Sequence, residues 1–207
     1  MRYLVTGVRW LFFAVFVVLL ATGKLMLWFG LYAVSLVAAL FFGRIYCGYV
    51  CPMNTLMIPA EWISKKLKLE TESTPKWLKK GELPWLFLVL SVAAMLFFKK
   101  RLGVNLPILP IWLVIAVLVT LRYKPLVFHN LVCPFGALQR IVGRFALFAK
   151  KVDPKACIGC KRCEEVCPSG AIAVVGDEKK AVINTALCHQ CTNCQEVCPK
   201  DVIHFAK

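Results

Sequence analysis

Eight of the chain's eleven cysteines stand in two copies of one pattern, Cys157-x2-Cys160-x2-Cys163-x3-Cys167-Pro168 and Cys188-x2-Cys191-x2-Cys194-x3-Cys198-Pro199. Iron–sulfur clusters are held by four thiolates each, so eight regularly spaced thiols can serve two [4Fe–4S] clusters. Three cysteines in a short loop wrap one face of a cubane, and the proline after the fourth redirects the chain. Structural zinc would use two C-x2-C pairs per metal, without the third cysteine or the trailing Cys-Pro. A disulfide framework belongs to small secreted chains. The chemistry on offer is electron transfer.

The repeat extends past the cysteines, since residues 155–172 match residues 186–203 at an offset of 31 positions. A duplicated half-domain follows. Each Cys-Pro leads into a short apolar run of β character, residues 171–175 and 202–205, and a turn after Gly176 introduces a third at 181–183. Residues 152–207 thereby resemble the bacterial two-cluster ferredoxin. The resemblance implies a small α+β domain with pseudo-twofold symmetry, stabilised chiefly by its clusters because so short a segment buries little core. In runs of this bacterial type the fourth cysteine ligates the other cluster. Cys157, Cys160, Cys163 and Cys198 then hold one cluster, and Cys188, Cys191, Cys194 and Cys167 the other.

Residues 1–151 must position this domain, and they read as a helical membrane domain. The chain is 59% hydrophobic with a mean hydropathy of +0.69, too apolar for a soluble protein of 207 residues. Residues 4–21, interrupted by Arg9, and 25–42 each approach the ~20 apolar residues that cross a hydrocarbon layer. The first run is long for a cleavable leader and a second follows at once, so the pair reads as a hairpin. Residues 83–98 and 106–121 are shorter, at roughly 24 Å each against a core about 30 Å thick. They span with snorkelling help from Lys99, Lys100, Arg101, Arg122 and Lys124, or form a re-entrant hairpin. With four spans, 22 basic residues fall on the side of the termini and 4 opposite. The positive-inside rule then places both termini and the ferredoxin domain at the cytoplasmic face of the inner membrane.

The net charge of +15 lies wholly in residues 1–151, which carry nineteen basic and four acidic residues, whereas residues 152–207 carry seven of each. This excess fits topology and anionic headgroups, and no basic-aromatic platform points to nucleic acid. Loaded with thiolate-ligated clusters, the C-terminal domain becomes net acidic and suits a basic membrane face.

The three remaining cysteines form a second constellation. Cys47-Gly-Tyr-Val-Cys51-Pro52 follows the second apolar run and His129-Asn-Leu-Val-Cys133-Pro134 the fourth, so His129 occupies the place of Cys47. Each motif precedes an amphipathic stretch, an interfacial helix near 53–69 and another near 135–150. The membrane part is itself a twofold repeat. The whole chain resembles the membrane-bound polyferredoxins of the quinol-dehydrogenase type, the NapH type and the C-terminal part of the NosR type, and departs from them at His129. Cysteines four apart at a helix end share a face, and a thiol before a helix N-terminus meets free N–H groups. If the halves meet, Cys47, Cys51, His129 and Cys133 form an additional metal or redox site. The plainer reading is packed thiols that shape two turns.

The resemblance implies electron transfer between the quinone pool, or a quinone-reactive partner, and a further redox subunit. Candidate neighbours of a quinone headgroup are Arg44, Tyr46, Tyr49, Arg122, Tyr123, His129 and Gln139, although an aromatic and basic belt is ordinary at such a boundary. No Asp or Glu lies within a proposed span, which disfavours a carboxylate proton relay. His189, Lys161 and Arg162 beside the ligands can tune potentials, or simply be solvated. Two other function classes remain open: a metal reductase or maturation factor binding copper at the thiol-histidine group, since soft thiolates select Cu(I), and a membrane docking subunit for a larger oxidoreductase. No nucleotide-binding or nucleophile motif is present, and no catalytic constellation is complete.

Overall fold

The computed structural model describes residues 2–71, 74–75, 78, 81–103, 106–176 and 178–206. Helices α1 (Arg2–Ala21), α2 (Leu25–Phe42) and α4 (Leu83–Leu102) are each long and apolar enough to cross a membrane, and α5 (Ile108–Arg122) is a shorter apolar helix. The expected end of the third run at residue 98 is therefore corrected. Lys99, Lys100 and Arg101 continue the helix because straight-chain cations are good helix formers and complement its negative C-terminal pole. A left-handed Gly103 ends it. At twenty residues α4 measures about 30 Å.

Both Cys-Pro motifs adopt one unusual geometry. Tyr46–Val50 and Phe128–Val132 are π-helical turns, each closed by an i to i+5 bond from the cysteine that follows: Cys51 N–H to the Tyr46 carbonyl at 2.9 Å, Cys133 N–H to the Phe128 carbonyl at 2.8 Å. The expected shared helix face for Cys47 with Cys51, and for His129 with Cys133, is thus corrected. Proline disfavours the α region for the residue before it, and here Cys51 (ψ 119°) and Cys133 (ψ 114°) are extended and the turn widens. Pro52 and Pro134 then open α3 (Pro52–Lys66) and α7 (Pro134–Gly143), first-turn positions that need no N–H. A short turn, α6 (Pro125–Val127), leads into the second π turn.

The chain divides into two compact units, Met1–Pro52 with Gln139–Lys207, and Met53–Leu138. In the first, the π turn packs on α1 and α2; in the second, its counterpart packs on α4 and α5. The interfacial helix expected to reach residue 150 stops at Gly143. Beyond it, the N–H groups of Leu147 and Phe148 bond the carbonyls of Leu40 and Phe41 at 3.1 and 2.7 Å. Those carbonyls close α2 and have no partner within their own helix, so the chain is drawn into capping them. It then forms a strand.

That strand, β1 (Ala149–Val152), moves the start of the ferredoxin domain ahead of residue 152. It pairs antiparallel with β4 (Ile203–Ala206), while β2 (Ile172–Val175) pairs with β3 (Lys180–Ile183). Two one-turn helices, α8 (Arg162–Glu165) and α9 (Asn193–Glu196), carry Cys163 and Cys194. The fold is thus a helical membrane-type protein with a small α+β ferredoxin domain. Its core joins Ile172, Ala181, Val202 and Ile203 to the thiols of Cys157, Cys163 and Cys194. Ile203 is 1% exposed, and Ile203→Ala should cost about 2–5 kcal/mol. Urea should then bleach the iron–sulfur absorbance at a lower concentration than in the unsubstituted protein.

Candidate iron–sulfur centres and the hairpin that meets them

A pocket is lined by Cys157, Cys160 and Cys163 of the first repeat and by Cys198 of the second. Apolar residues including Val174, Ala181 and Ile203 wall its inner side. Four thiols around an otherwise apolar space, with no competing carboxylate or imidazole among the lining residues, fit an all-cysteine cluster. The second group shows the reciprocal crossing. Burial pushes the Cys188 and Cys194 thiols up to about 12, and Cys191 and Cys167 add to both rises. Burial likewise raises Cys191, with Cys167 adding again. By contrast, the thiols acting on Cys163, itself raised chiefly by burial, are Cys160 and Cys157. Each fourth cysteine therefore lies with the other repeat's three. Thiols this reluctant to ionise release protons when iron binds.

The environments of the two groups differ. Cys188, Cys191 and Cys194 are buried, whereas Cys160 is exposed and the neighbouring Ile158 is 59% exposed. Sulfur atoms also accept N–H bonds, from Gln190 to Cys188 at 3.4 Å and from Ala171 to Cys167 at 3.2 Å. Such bonds stabilise charge on sulfur.

The first π turn lies directly against the loop between Cys188 and Cys191. A Cβ on Gly48 would overlap the His189 carbonyl oxygen. Tyr49 Oη donates to the Gln190 carbonyl at 3.2 Å, and Lys150 N–H donates to Gln190 Oε1 at 3.0 Å. Gln190 adopts a left-handed φ of 56°, and the residue at the same place in the first repeat is Gly159 with φ 68°. A side chain where the other repeat carries glycine was the available sign that Gln190 has work beyond the turn. The sequence reading missed it, as it missed Arg9 and Lys150.

Arg44 is fully buried, with Nη1 3.5 Å from the Leu187 carbonyl. Tyr46 is buried, and its Oη accepts from Trp28 Nε1 at 2.9 Å. Burial pushes its phenol well above the ordinary value, so it stays protonated. Gln139 is fully buried; its Nε2 donates to Ser35 Oγ at 2.8 Å and its Oε1 has no hydrogen-bond partner. Ser35 in turn donates to the Tyr32 carbonyl, and the Tyr32 and Tyr46 rings meet edge to face at 5.2 Å. Tyr46 and Gln139 thus both contact the Tyr32–Ser35 turn of α2, one through a ring contact and the other through a hydrogen bond.

In the second unit, Arg122 donates to the Leu69 carbonyl at 3.0 Å, and Tyr123 ends α5. His129 is buried with Nε2 3.2 Å from Asn54 Oδ1. Cys133 Sγ accepts from Gly136 N–H at 3.3 Å, capping the N-terminus of α7 as expected of a thiol at that place. Cys47 and Cys51 are buried in the first unit. Of the four side chains considered for an additional site, Cys47 and Cys51 thus lie in the first unit and His129 and Cys133 in the second.

An α-helical membrane-type chain ending in a two-cluster cysteine fold defines a membrane-bound ferredoxin, an iron–sulfur electron-transfer protein. Residues 156–202 match the family model of the 4Fe-4S dicluster domain, and residues 25–70 and 105–155 match that of a 4Fe-4S binding domain. The paired second match follows the repeat of the two hairpins. Similar proteins include an uncharacterized protein of Methanocaldococcus jannaschii, 33% identical over 65% of this chain and 55% of its own length. The ferredoxin-type protein NapH of Haemophilus influenzae is 28% identical over 62% of this chain and 49% of its own. MauN of Paracoccus denitrificans, a methylamine utilization ferredoxin-type protein, is 28% identical over 64% and 50%. The chain is a ferredoxin-type protein related to NapH and MauN. It spans about half the length of the curated relatives it matches.

Proposed function

We propose that the protein is a membrane-anchored subunit passing electrons between the quinone pool, or a quinone-reactive partner, and a second redox protein. The observation that carries this reading is the seat of Gly48 and Tyr49 under the His189–Gln190 backbone, which joins the apolar hairpin to the loop bearing two ligand cysteines. In this reading Cys188, Cys191, Cys194 and Cys167 hold the inner [4Fe–4S] cluster and Cys157, Cys160, Cys163 and Cys198 the outer one. When bound, the clusters supply one-electron transfer sites.

The chain's own residues divide the remaining work. Tyr46 and Gln139 orient a quinone headgroup beside α2: the protonated phenol donates to a carbonyl, and the unpartnered Gln139 oxygen accepts from a hydroxyl. Pro52 and the π turn fix the approach of hairpin to domain. The exposed edge at Ile158 and Cys160 is the side open to a protein partner. Charge asymmetry favours a cytoplasmic ferredoxin domain. Detergent-solubilised protein mixed with a hydroquinone analogue should develop reduced-cluster EPR signals. Reduction by dithionite but by no hydroquinone would defeat the quinone reading while leaving electron transfer intact.

A further inference from the structure

Three basic side chains in the first unit are withdrawn from water around the loop that carries Cys188 and Cys191. Arg44 is 0% exposed, Lys150 2% and Arg9 9%. Their bonded partners are neutral. Arg9 Nε donates to the Gly48 carbonyl at 2.7 Å, Lys150 Nζ donates to Gln195 Oε1 at 2.7 Å, and Arg44 has only the long contact to Leu187. Arg44 Nε and Nη2 have no hydrogen-bond partner. None of the three takes part in the Lys65–Glu61 ion pair. An uncompensated buried charge is costly, so three together require an anion.

The arrangement locates that anion. Leu187 directly precedes Cys188. Gln195, which holds the Lys150 ammonium, directly follows Cys194, and Gly48, whose carbonyl holds Arg9, lies against the backbone of His189, which directly follows Cys188. Around the other group Lys161 and Lys200 are exposed to solvent and the half-buried Lys180 donates to the Cys157 carbonyl at 2.8 Å, so one partly sheltered cation stands there against three buried ones here.

We infer that Arg9, Arg44 and Lys150 are the buried counter-charge of the cluster held by Cys188, Cys191, Cys194 and Cys167, and that they raise its reduction potential selectively over that of its neighbour. The inference rests on the ligand sets proposed above. Reduction makes and breaks no bond. One electron enters an already anionic all-thiolate cluster, which gains one further negative charge. In the proposed function that electron comes from a hydroquinone, which is oxidised to the quinone, gives one electron to each cluster and releases its protons to water. Burial alone opposes added negative charge, and three fixed cations counter that penalty because they interact more favourably with the reduced form.

The test is an EPR-monitored redox titration of the full chain in detergent, comparing Arg44→Gln and Lys150→Met with the unsubstituted protein. Either substitution should lower the reduction equilibrium constant of the inner cluster at least tenfold, which is 59 mV for a one-electron couple. The outer cluster's midpoint should not move, and Arg44→Lys should restore most of the loss. If Arg44→Gln fails to retain iron, Lys150→Met decides. An unchanged inner midpoint, or an equal shift of both, overturns the inference. The ligand sets are tested separately by iron content. Cys198→Ser and Cys167→Ser should each keep about half the iron, and loss of none or of all would strike the assignment. A shift confined to one of two signals in the intact chain would still uphold the counter-charge.

Discussion

Cys198→Ser should empty the site built by the first repeat and leave the site of its own repeat loaded. The substitution lies at the end of the second motif, yet the Cys198 side chain lines the cavity of Cys157, Cys160 and Cys163. About half the iron should be lost, and the surviving EPR signal should be that of the more buried cluster. A pairing of each motif with its own four cysteines predicts the opposite survivor. The two can be told apart by a paramagnetic relaxation agent in solution. The outer site has the exposed Cys160, so its signal responds more strongly to the agent, and a survivor that responds in this way would refute the crossed arrangement. The stability cost is also large, since Val202 and Ile203 pack against the same cavity and lose their support when the cluster is gone.

Gly48→Val should break electron entry while sparing both clusters. Any Cβ at this position collides with backbone, the His189 carbonyl, which cannot rotate away as a side chain can. Forcing atoms into a close-packed contact costs roughly 1–3 kcal/mol, enough to move a docked domain off its seat. Hydroquinone-driven reduction should fall by tenfold or more, whereas dithionite reduction and iron content should stay normal. The Tyr49 bond to Gln190 should go with it. Loss of iron in this variant, or unaltered reduction by hydroquinone, would contradict the assigned contact.

Much of this architecture was legible in the sequence because its physical causes are local. The cysteine spacing, the apolar runs and the Cys-Pro repeat each lie within a few residues, and β2, β3 and β4 fell close to their expected places. Strand β1 was not legible. Residues 149 and 150 read as the end of an amphipathic helix, and only the distant β4 and the open carbonyls of α2 make 149–152 a strand. The π turns were hidden for another reason: four-residue spacing suggests an α-helical face, and the proline that overrides it acts through its neighbour's backbone. Among the site residues, the cysteines announced themselves by type. Arg9 looked like an interruption in a span and Lys150 was one more basic residue in the charge count, because their partners, Gly48 for Arg9 and Gln195 for Lys150, are about forty residues away.

The seam between Tyr49 and Gln190 joins residues 141 apart in the chain. At ribosomal speeds of about 5–20 residues per second, the hairpin is made roughly 7 to 28 s before its partner emerges. During that interval the last carbonyls of α2 depend on water or lipid headgroups, and Arg44 has no protein cover. Cofactor delivery therefore has a natural place after translation, when loading of the C-terminal domain and its docking onto a waiting hairpin complete one another.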